Sequence, residues 1–293
     1  MVSTTFSTTI PPSDDVQTTQ ESGPSPDVTK ALYQHDGTLH HHQTTVLTVV
    51  PATSLSDGDR ALFKSITDSD SVVATAETIF HAQGGGQPSD TGSITSLASD
   101  STTTFDVLTV RHAGEGRILH HGRFSPADSR AFEDGESVEQ HVDSDKRLLH
   151  SRIHTAGHIL GLAVRQLADT IPDITELKAQ HYPDAAFVEF RGLIDGKHKA
   201  AIQERADDLV RQAIPVHVVW WGYEELKEKC AVVLDSVDAS STGLMRAVNI
   251  EGVGAYPCGG THVTDTSRVG KLVVRNIKRQ KGITKISYAV EEV

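Results

Sequence analysis

Read by its apolar and polar positions, the chain falls into an unpatterned stretch, a stretch of short alternating runs, and a stretch where runs and helical periods take turns. Residues 1–28 are rich in Ser, Thr, Pro and Asp with few large apolar side chains. Such a segment buries too little surface to offset its ordering entropy, so a disordered tail is expected. From residue 29 to 142 the pattern is short β-like runs broken by turns. Residues 46–50, 71–75, 104–110 and 117–120 read as strands, with turns or loops at Asp57-Gly58, Ala113-Gly114 and Asp134-Gly135. Many short strands without a long helix predict a small β-barrel.

The period changes at Asp143-Ser144-Asp145-Lys146-Arg147, whose first three residues are all candidate N-caps for a helix. Leu148, Leu149, Ile153, Leu160, Val164 and Leu167 supply its apolar positions. Beyond Pro172 a βαβ-like alternation begins. Strands are expected at 187–190, 216–221, 244–250, 272–277 and 283–290. A helix at 198–213 carries Ile202, Ala206, Leu209 and Val210 inward, and a short helix follows at 224–232. Strands with helices laid on one side give an α+β class. The expected organisation is a disordered tail (1–28), a barrel-like domain (29–142) and an α+β domain (143–293).

Composition narrows the class. At 293 residues the chain accommodates one large or two ordinary domains. No run approaches the roughly 18 apolar residues of a membrane helix, so no membrane partner is expected. Two cysteines cannot make a disulfide framework and fit a reducing compartment. No Lys or Arg precedes Lys30, whereas Asp14, Asp15, Glu21 and Asp27 do, which disfavours a mitochondrial presequence. A cytoplasmic location is therefore expected. The formal net charge of −12 is uneven: residues 1–145 hold 7 Lys and Arg against 21 Asp and Glu, and residues 146–293 hold 20 against 18. Arg268, Lys271, Arg275, Lys278, Arg279, Lys281 and Lys285 crowd one predicted hairpin, a ribbon that suits either solvent or a phosphate backbone.

Candidate chemistry sits in two four-residue steps. His154-Thr155-Ala156-Gly157-His158 places two imidazoles on one helix face. Among 16 histidines one such pair means little. Cys258-Gly259-Gly260-Thr261-His262 repeats the step with one of the only two cysteines, beside a glycine pair that lets backbone bend around an ion. One thiolate and three imidazoles suit zinc. His40, His41 and His42 read as a solvated loop or strand end. Gly84-Gly85-Gly86-Gln87-Pro88-Ser89-Asp90 permits positive φ and close backbone approach to a ligand, and lacks the Gly-Lys-Ser/Thr of a phosphate-binding loop.

In that order, Gly84-Gly85-Gly86-Gln87, His154-x-x-x-His158 and Cys258-Gly259-Gly260-Thr261-His262 resemble the editing domain of alanyl-tRNA synthetase and its free-standing AlaX relatives, over about residues 31–293. The resemblance implies a small barrel joined to an α+β editing domain. It implies an aminoacyl-tRNA deacylase acting in trans on mischarged tRNA(Ala), chiefly seryl-tRNA(Ala) and in some members glycyl-tRNA(Ala). Carried over by motif, His154, His158, Cys258 and His262 are the zinc ligands, and Gly84 to Gln87 lie beside the pocket. Thr78 is similar to a family threonine that senses the serine hydroxyl. Arg246 stands where relatives often carry arginine, without a firm role. The chain departs from the pattern at Phe80-His81-Ala82, where relatives often have Phe-Tyr-Pro or Phe-Tyr-Ala, so His81 is expected to alter the pocket or add a titratable group.

Ester hydrolysis needs an attacking water, a polarised carbonyl and a protonated leaving group. Gln87 with nearby backbone amides is the expected oxyanion stabiliser. Four protein ligands close a tetrahedral site, so either one ligand swings away or zinc anchors the aminoacyl group instead. The alternative is a non-catalytic RNA-binding module with a structural zinc. A zinc protease is disfavoured, because His154 is followed by Thr155 and not by Glu. Nothing in the sequence sets an oligomeric state, and a monomer is the working expectation.

Overall fold

The computed structural model describes residues 28–99, 103–232 and 243–291. The tail expected at 1–28 lies outside these residues except for Val28. In chain order the strands are β1 (Lys30–Ala31), β2 (His41–Pro51), β3 (Ser71–Thr75), β4 (Glu77–Thr78), β5 (Gly92–Ser96), β6 (Thr104–His112), β7 (Ile118–Ser125) and β8 (Ser137–Val142). After them come β9 (Thr175–Gln180), β10 (Phe187–Arg191), β11 (Val216–Trp221), β12 (Met245–Ile250), β13 (Gly254–Pro257), β14 (Lys271–Gln280) and β15 (Ile283–Glu291). The helices are α1 (Asp57–Ala61), α2 (Ser144–Gln166), α3 (Lys199–Arg211) and α4 (Tyr223–Lys229).

Six antiparallel strands close into a barrel in the order β2-β3-β7-β6-β5-β8. Closure removes exposed sheet edges and gives alternate side chains an interior to fill. Val46, Val73, Ile94, Phe105, Val107 and Val138 point into it. A bulge between Val107 and Thr109 resets the phase of β6, which turns Leu108 outward and Val110 back inward. Ile79 and Phe80, just beyond β4, are fully buried in the same core. The start of the glycine-rich segment is thereby pinned to the barrel.

Helix α2 leaves the last barrel strand through Asp143, whose carboxylate accepts from the Lys146 amide at 3.1 Å. From Ile153 to Val164 every residue is buried. It packs against α3, β10 and β15, with Ile202, Ala206 and Leu209 of α3 facing the shared core. The sheet β14-β15-β10-β9 covers one side, and β11-β12-β13 forms a separate three-stranded sheet. Both are antiparallel throughout, so the helix–strand alternation does not make βαβ units. Leu148 is half exposed rather than buried, and Asp57-Gly58 opens α1 rather than a turn, because Ser56 caps the Asp59 amide. Among the described residues no helix is long and apolar enough to cross a membrane.

One buried ion pair fixes the glycine-rich segment to α2. Arg147, 1% exposed, donates to both oxygens of Asp90 and to the carbonyls of Gly37 and Ile79. Asp90 in turn accepts from the His81 amide at 2.6 Å. All three guanidinium nitrogens and both carboxylate oxygens have partners, the condition under which a buried pair holds position. Removing one partner of such a pair costs about 3–5 kcal/mol.

Inside the barrel, burial holds the His120 imidazole down at about pH 4 although Val73 O favours its protonated form. A group neutral in the fold and basic when unfolded stabilises fully above about pH 6.5, and that contribution is lost as pH falls toward 4. The stability of the wild-type protein to urea should drop between pH 7.5 and 5, with roughly 2 kcal/mol of the drop belonging to this histidine. His120→Gln, neutral throughout, should show a correspondingly shallower fall. Equal pH dependence in the two proteins would remove His120 from the account.

Candidate metal centre

Two helical turns of α2 and one loop after β13 bring four donor atoms together. The ligand atoms of His154, His158, Cys258 and His262 all lie within 4.8 Å of one another. Cys258 Sγ stands 3.4 Å from His154 Nε2 and 3.3 Å from His262 Nε2. A tetrahedron with zinc–sulfur and zinc–nitrogen bonds of about 2.3 and 2.0 Å has edges of roughly 3.3–3.6 Å, which the two sulfur–nitrogen separations match.

The histidines are turned by partners behind them. His154 Nδ1 donates to Gln87 Oε1 at 2.6 Å, which leaves its Nε2 lone pair toward Cys258. Gln87 is fully buried. Its Oε1 also accepts from the Thr261 amide at 3.1 Å, and its amide nitrogen donates to Thr261 Oγ1 at 2.9 Å. His262 repeats the device. Thr155 spends its proton on Ser151 O at 2.9 Å, so it accepts from His262 Nδ1 at 3.0 Å and frees His262 Nε2. Backing each ring nitrogen with an acceptor fixes tautomer and ring orientation in metal sites. Among the described residues His158 Nδ1 is buried with no hydrogen-bond partner, so that nitrogen has no backing acceptor.

Electrostatics favours a cation. Burial, then repulsion from neighbouring cationic groups, His181 foremost for His154 and His158, and His158 with Arg246 for His262, holds all three imidazoles well below their ordinary range, so they are neutral donors. Burial also raises the Cys258 thiol, against the Gly260 amide that donates to its sulfur at 3.3 Å. A bound cation reverses that sign and takes the sulfur as thiolate. The chemistry of the donor set and its backing partners therefore fit zinc.

Glycines make the assembly possible at two places. Gly84 and Gln87 exchange backbone hydrogen bonds at 2.9 and 3.3 Å, with Gly85 and Gly86 between them at φ 54° and 78°. That is a type I′ turn, which demands positive φ at both central residues. The run expected to approach a ligand is thus also a tight turn that delivers Gln87, docked through Gly86 O to the His181 amide at 2.8 Å. At Gly260 any Cβ would overlap the His154 ring.

A cavity of about 340 Å³ opens beside the four residues, lined by Gly85 and Gly86, by His154 and His158, and by Glu176 and His181 among others. Gln87 is not among its lining residues, and its amide is spent on His154 and Thr261; it stands behind a ligand and not where an oxyanion would sit. Thr78 is likewise absent from the lining. His120 donates Nδ1 to Val73 O, so the Thr78 hydroxyl gives its proton to His120 Nε2 at 2.8 Å and accepts from the Phe80 amide at 3.1 Å. The hydroxyl-sensing role expected for Thr78 has no cavity contact behind it. His81 is buried too, its Nδ1 bonded to Pro88 O at 3.0 Å, so it braces the segment instead of lining the cavity. Arg246 clamps the ligand loop, donating to Cys258 O and to Gln34 O.

Sequence reasoning missed His181, Glu176, Tyr256 and Thr155. His181 stacks on His154 with centroids 4.0 Å apart and bonds Tyr288 OH at 2.7 Å. Both His181 and Glu176 belong to β9 or its end, a strand whose half-buried residues lack clean alternation. Thr155 and Thr261 lay inside the recognised motifs, and their serial position was the only available signal.

No family model matches the chain. It is 31% identical over 212 residues to the alanyl-tRNA editing protein AlaX-M of Methanosarcina barkeri, covering 71% of this chain and 84% of that one. It is 30% identical over 273 residues to the alanine–tRNA ligase of Korarchaeum cryptofilum, covering 89% of this chain and 26% of the ligase. The ligase of Thermotoga maritima is 30% identical over 199 residues, 68% of this chain and 22% of the ligase. The chain thus spans about a quarter of the ligases it matches.

If Gln87 positions His154, Gln87→Ala should weaken zinc affinity by about 10–100-fold in chelator competition. Thr78→Ala, which touches only barrel groups, should leave it unchanged. Equal affinity in Gln87→Ala and wild type would contradict the backing role.

Proposed function

The chain belongs to the alanyl-tRNA editing protein family, and on that premise we propose that it is an aminoacyl-tRNA deacylase that hydrolyses the ester of mischarged tRNA(Ala), chiefly seryl-tRNA(Ala) and also glycyl-tRNA(Ala). The observation that carries the reading is a four-residue donor set with backed histidines opening onto a cavity of about 340 Å³. That volume lies at the low end of small-ligand sites and suits an aminoacyl group with part of its ribose. A zinc ion held by His154, His158, Cys258 and His262 would supply Lewis acidity toward an oxygen of the substrate or of water.

The chain's own residues do the remainder. Gln87 and Thr155 keep His154 and His262 in one tautomer, which costs no reorganisation when substrate arrives. Gly85 and Gly86 present backbone without side chains to the cavity. His181 brings a neutral imidazole beside His154. The serine preference is carried by cavity groups, since the Thr78 proton is committed to His120.

The outer face of the β9-β10-β15-β14 sheet supports tRNA as the partner. Lys178, Glu189, Lys285 and Lys278 are direct neighbours in one row across four strands. Lys178 pairs with Glu189 at 3.4 Å and lines the cavity, whereas Lys285 and Lys278 face each other directly. Like charges opposed across strands are destabilising, and a phosphate backbone removes that cost. Three of the seven hairpin cations are neutralised from outside the hairpin turn: Arg268 by Asp265, Lys271 by Glu291 and Arg279 by Asp195.

Zinc-loaded protein should deacylate seryl-tRNA(Ala) at least about 100-fold faster than alanyl-tRNA(Ala), with rates that fall as salt rises. Cys258→Ala should lose both zinc and activity. Stoichiometric zinc with no hydrolysis of either ester would leave the non-catalytic RNA-binding module, which the complete set of four protein ligands otherwise favours.

A further inference from the structure

Among the described residues, Glu176 is the one acidic residue that lines the cavity. In the sheet it is registered opposite Phe190, a buried residue, so it faces α2. Its Oε2 accepts from Tyr256 OH at 2.8 Å, and the Tyr256 ring lies 4.5 Å from the ring of His158. The carboxyl is therefore one tyrosine away from the donor set. Among the described residues it belongs to no ion pair; Arg165 lowers its pKa only through space.

The helix makes room for it. At Gly161, one turn beyond His158, an added Cβ would overlap both Glu176 Oε2 and Tyr256 OH. A glycine inside a helix costs about 1 kcal/mol against alanine, and this one stands in the buried centre of α2. Burial pushes the carboxyl up to about 7, against the Tyr256 hydrogen bond. A desolvated carboxylate without a counter-charge is expensive, and the expense ends when a cation joins it.

The substrate class brings one. An aminoacyl ester carries an α-amino group one carbon from the carbonyl that is attacked, and in its protonated form this is the only cation of a seryl or glycyl group. We propose that Glu176 binds that α-ammonium group and so aligns the ester carbonyl with the donor set, an assignment that rests on the deacylase reading above. Glu176 is then a substrate-binding residue of the site, with Tyr256 as its positioning partner. Binding free amino esters and rejecting N-blocked ones follows, since an N-acyl group removes the charge and leaves the carboxylate unpaired.

The test compares seryl-tRNA(Ala) with N-acetylseryl-tRNA(Ala) in single-turnover deacylation by wild type, Glu176→Gln and Glu176→Asp, with zinc content measured for each. Wild type should favour the free amine by about 100-fold or more. Glu176→Gln, which keeps an acceptor for Tyr256, should lose about 10–100-fold on the free amine, keep the wild-type rate on the acetylated ester, and hold the same zinc. Glu176→Asp should recover part of the preference. An unchanged preference in Glu176→Gln, or an equal fall on both esters, would overturn the assignment while leaving the deacylase reading intact. A zinc-loaded wild type that cleaves neither ester would remove that reading and this assignment with it.

Discussion

A buried imidazole can ligate a metal only if one nitrogen is stripped of its proton and aimed, and the protein does this for His154 with a single carboxamide. Gln87 Oε1 accepts the hydrogen bond from Nδ1, holding the proton there, while its other contacts reach Thr261, the residue before His262. One side chain from the turn after β4 thus touches both ligand-bearing segments. If that amide moves, the tautomer of His154 and the path of the Cys258–His262 loop move together. The barrel, the turn and the helix are all arranged to keep it still.

The means of keeping it still are covalently distant from the site. The type I′ turn at Gly84 to Gln87 sets where the amide emerges, and Asp90, three residues later, is locked to Arg147 on α2. Arg147 sits seven residues before His154 on the same helix. The buried ion pair and the Gln87–His154 bond are thus two points of attachment between one loop and one helix, a geometry that resists both sliding and rotation. A buried ion pair is weak evidence for stability, but it serves registry well, and registry is what the ligand set requires.

Much of this was legible in the sequence, for identifiable reasons. The strands Ser71–Thr75 and Val216–Trp221 coincide with the runs expected there; the first meets a core on both faces, Val73 inside the barrel and Val72 and Ala74 against Phe63 and Leu119. His154 and His158 were legible because an i, i+4 step on a helix puts both side chains on one face, and Cys258 and His262 because their loop repeats that spacing with a rare cysteine. What escaped was whatever depends on partners far along the chain. Glu176 and His181 acquire meaning only when β9 is laid beside α2, and β9 lacks the alternation that would have announced it. The role of Gln87 as a brace follows from Thr261, 174 residues away. Thr78 and His81 looked like pocket residues by serial position alone, and the closed barrel draws both inward.

The account stands or falls on the donor set being a real coordination sphere. X-ray absorption at the zinc edge of the purified protein measures it directly. One sulfur near 2.3 Å and three nitrogens near 2.0–2.1 Å, with the sulfur lost in Cys258→Ala, is the predicted result. A sphere of oxygen and nitrogen without sulfur, or zinc retained unchanged in Cys258→Ala, would contradict the account.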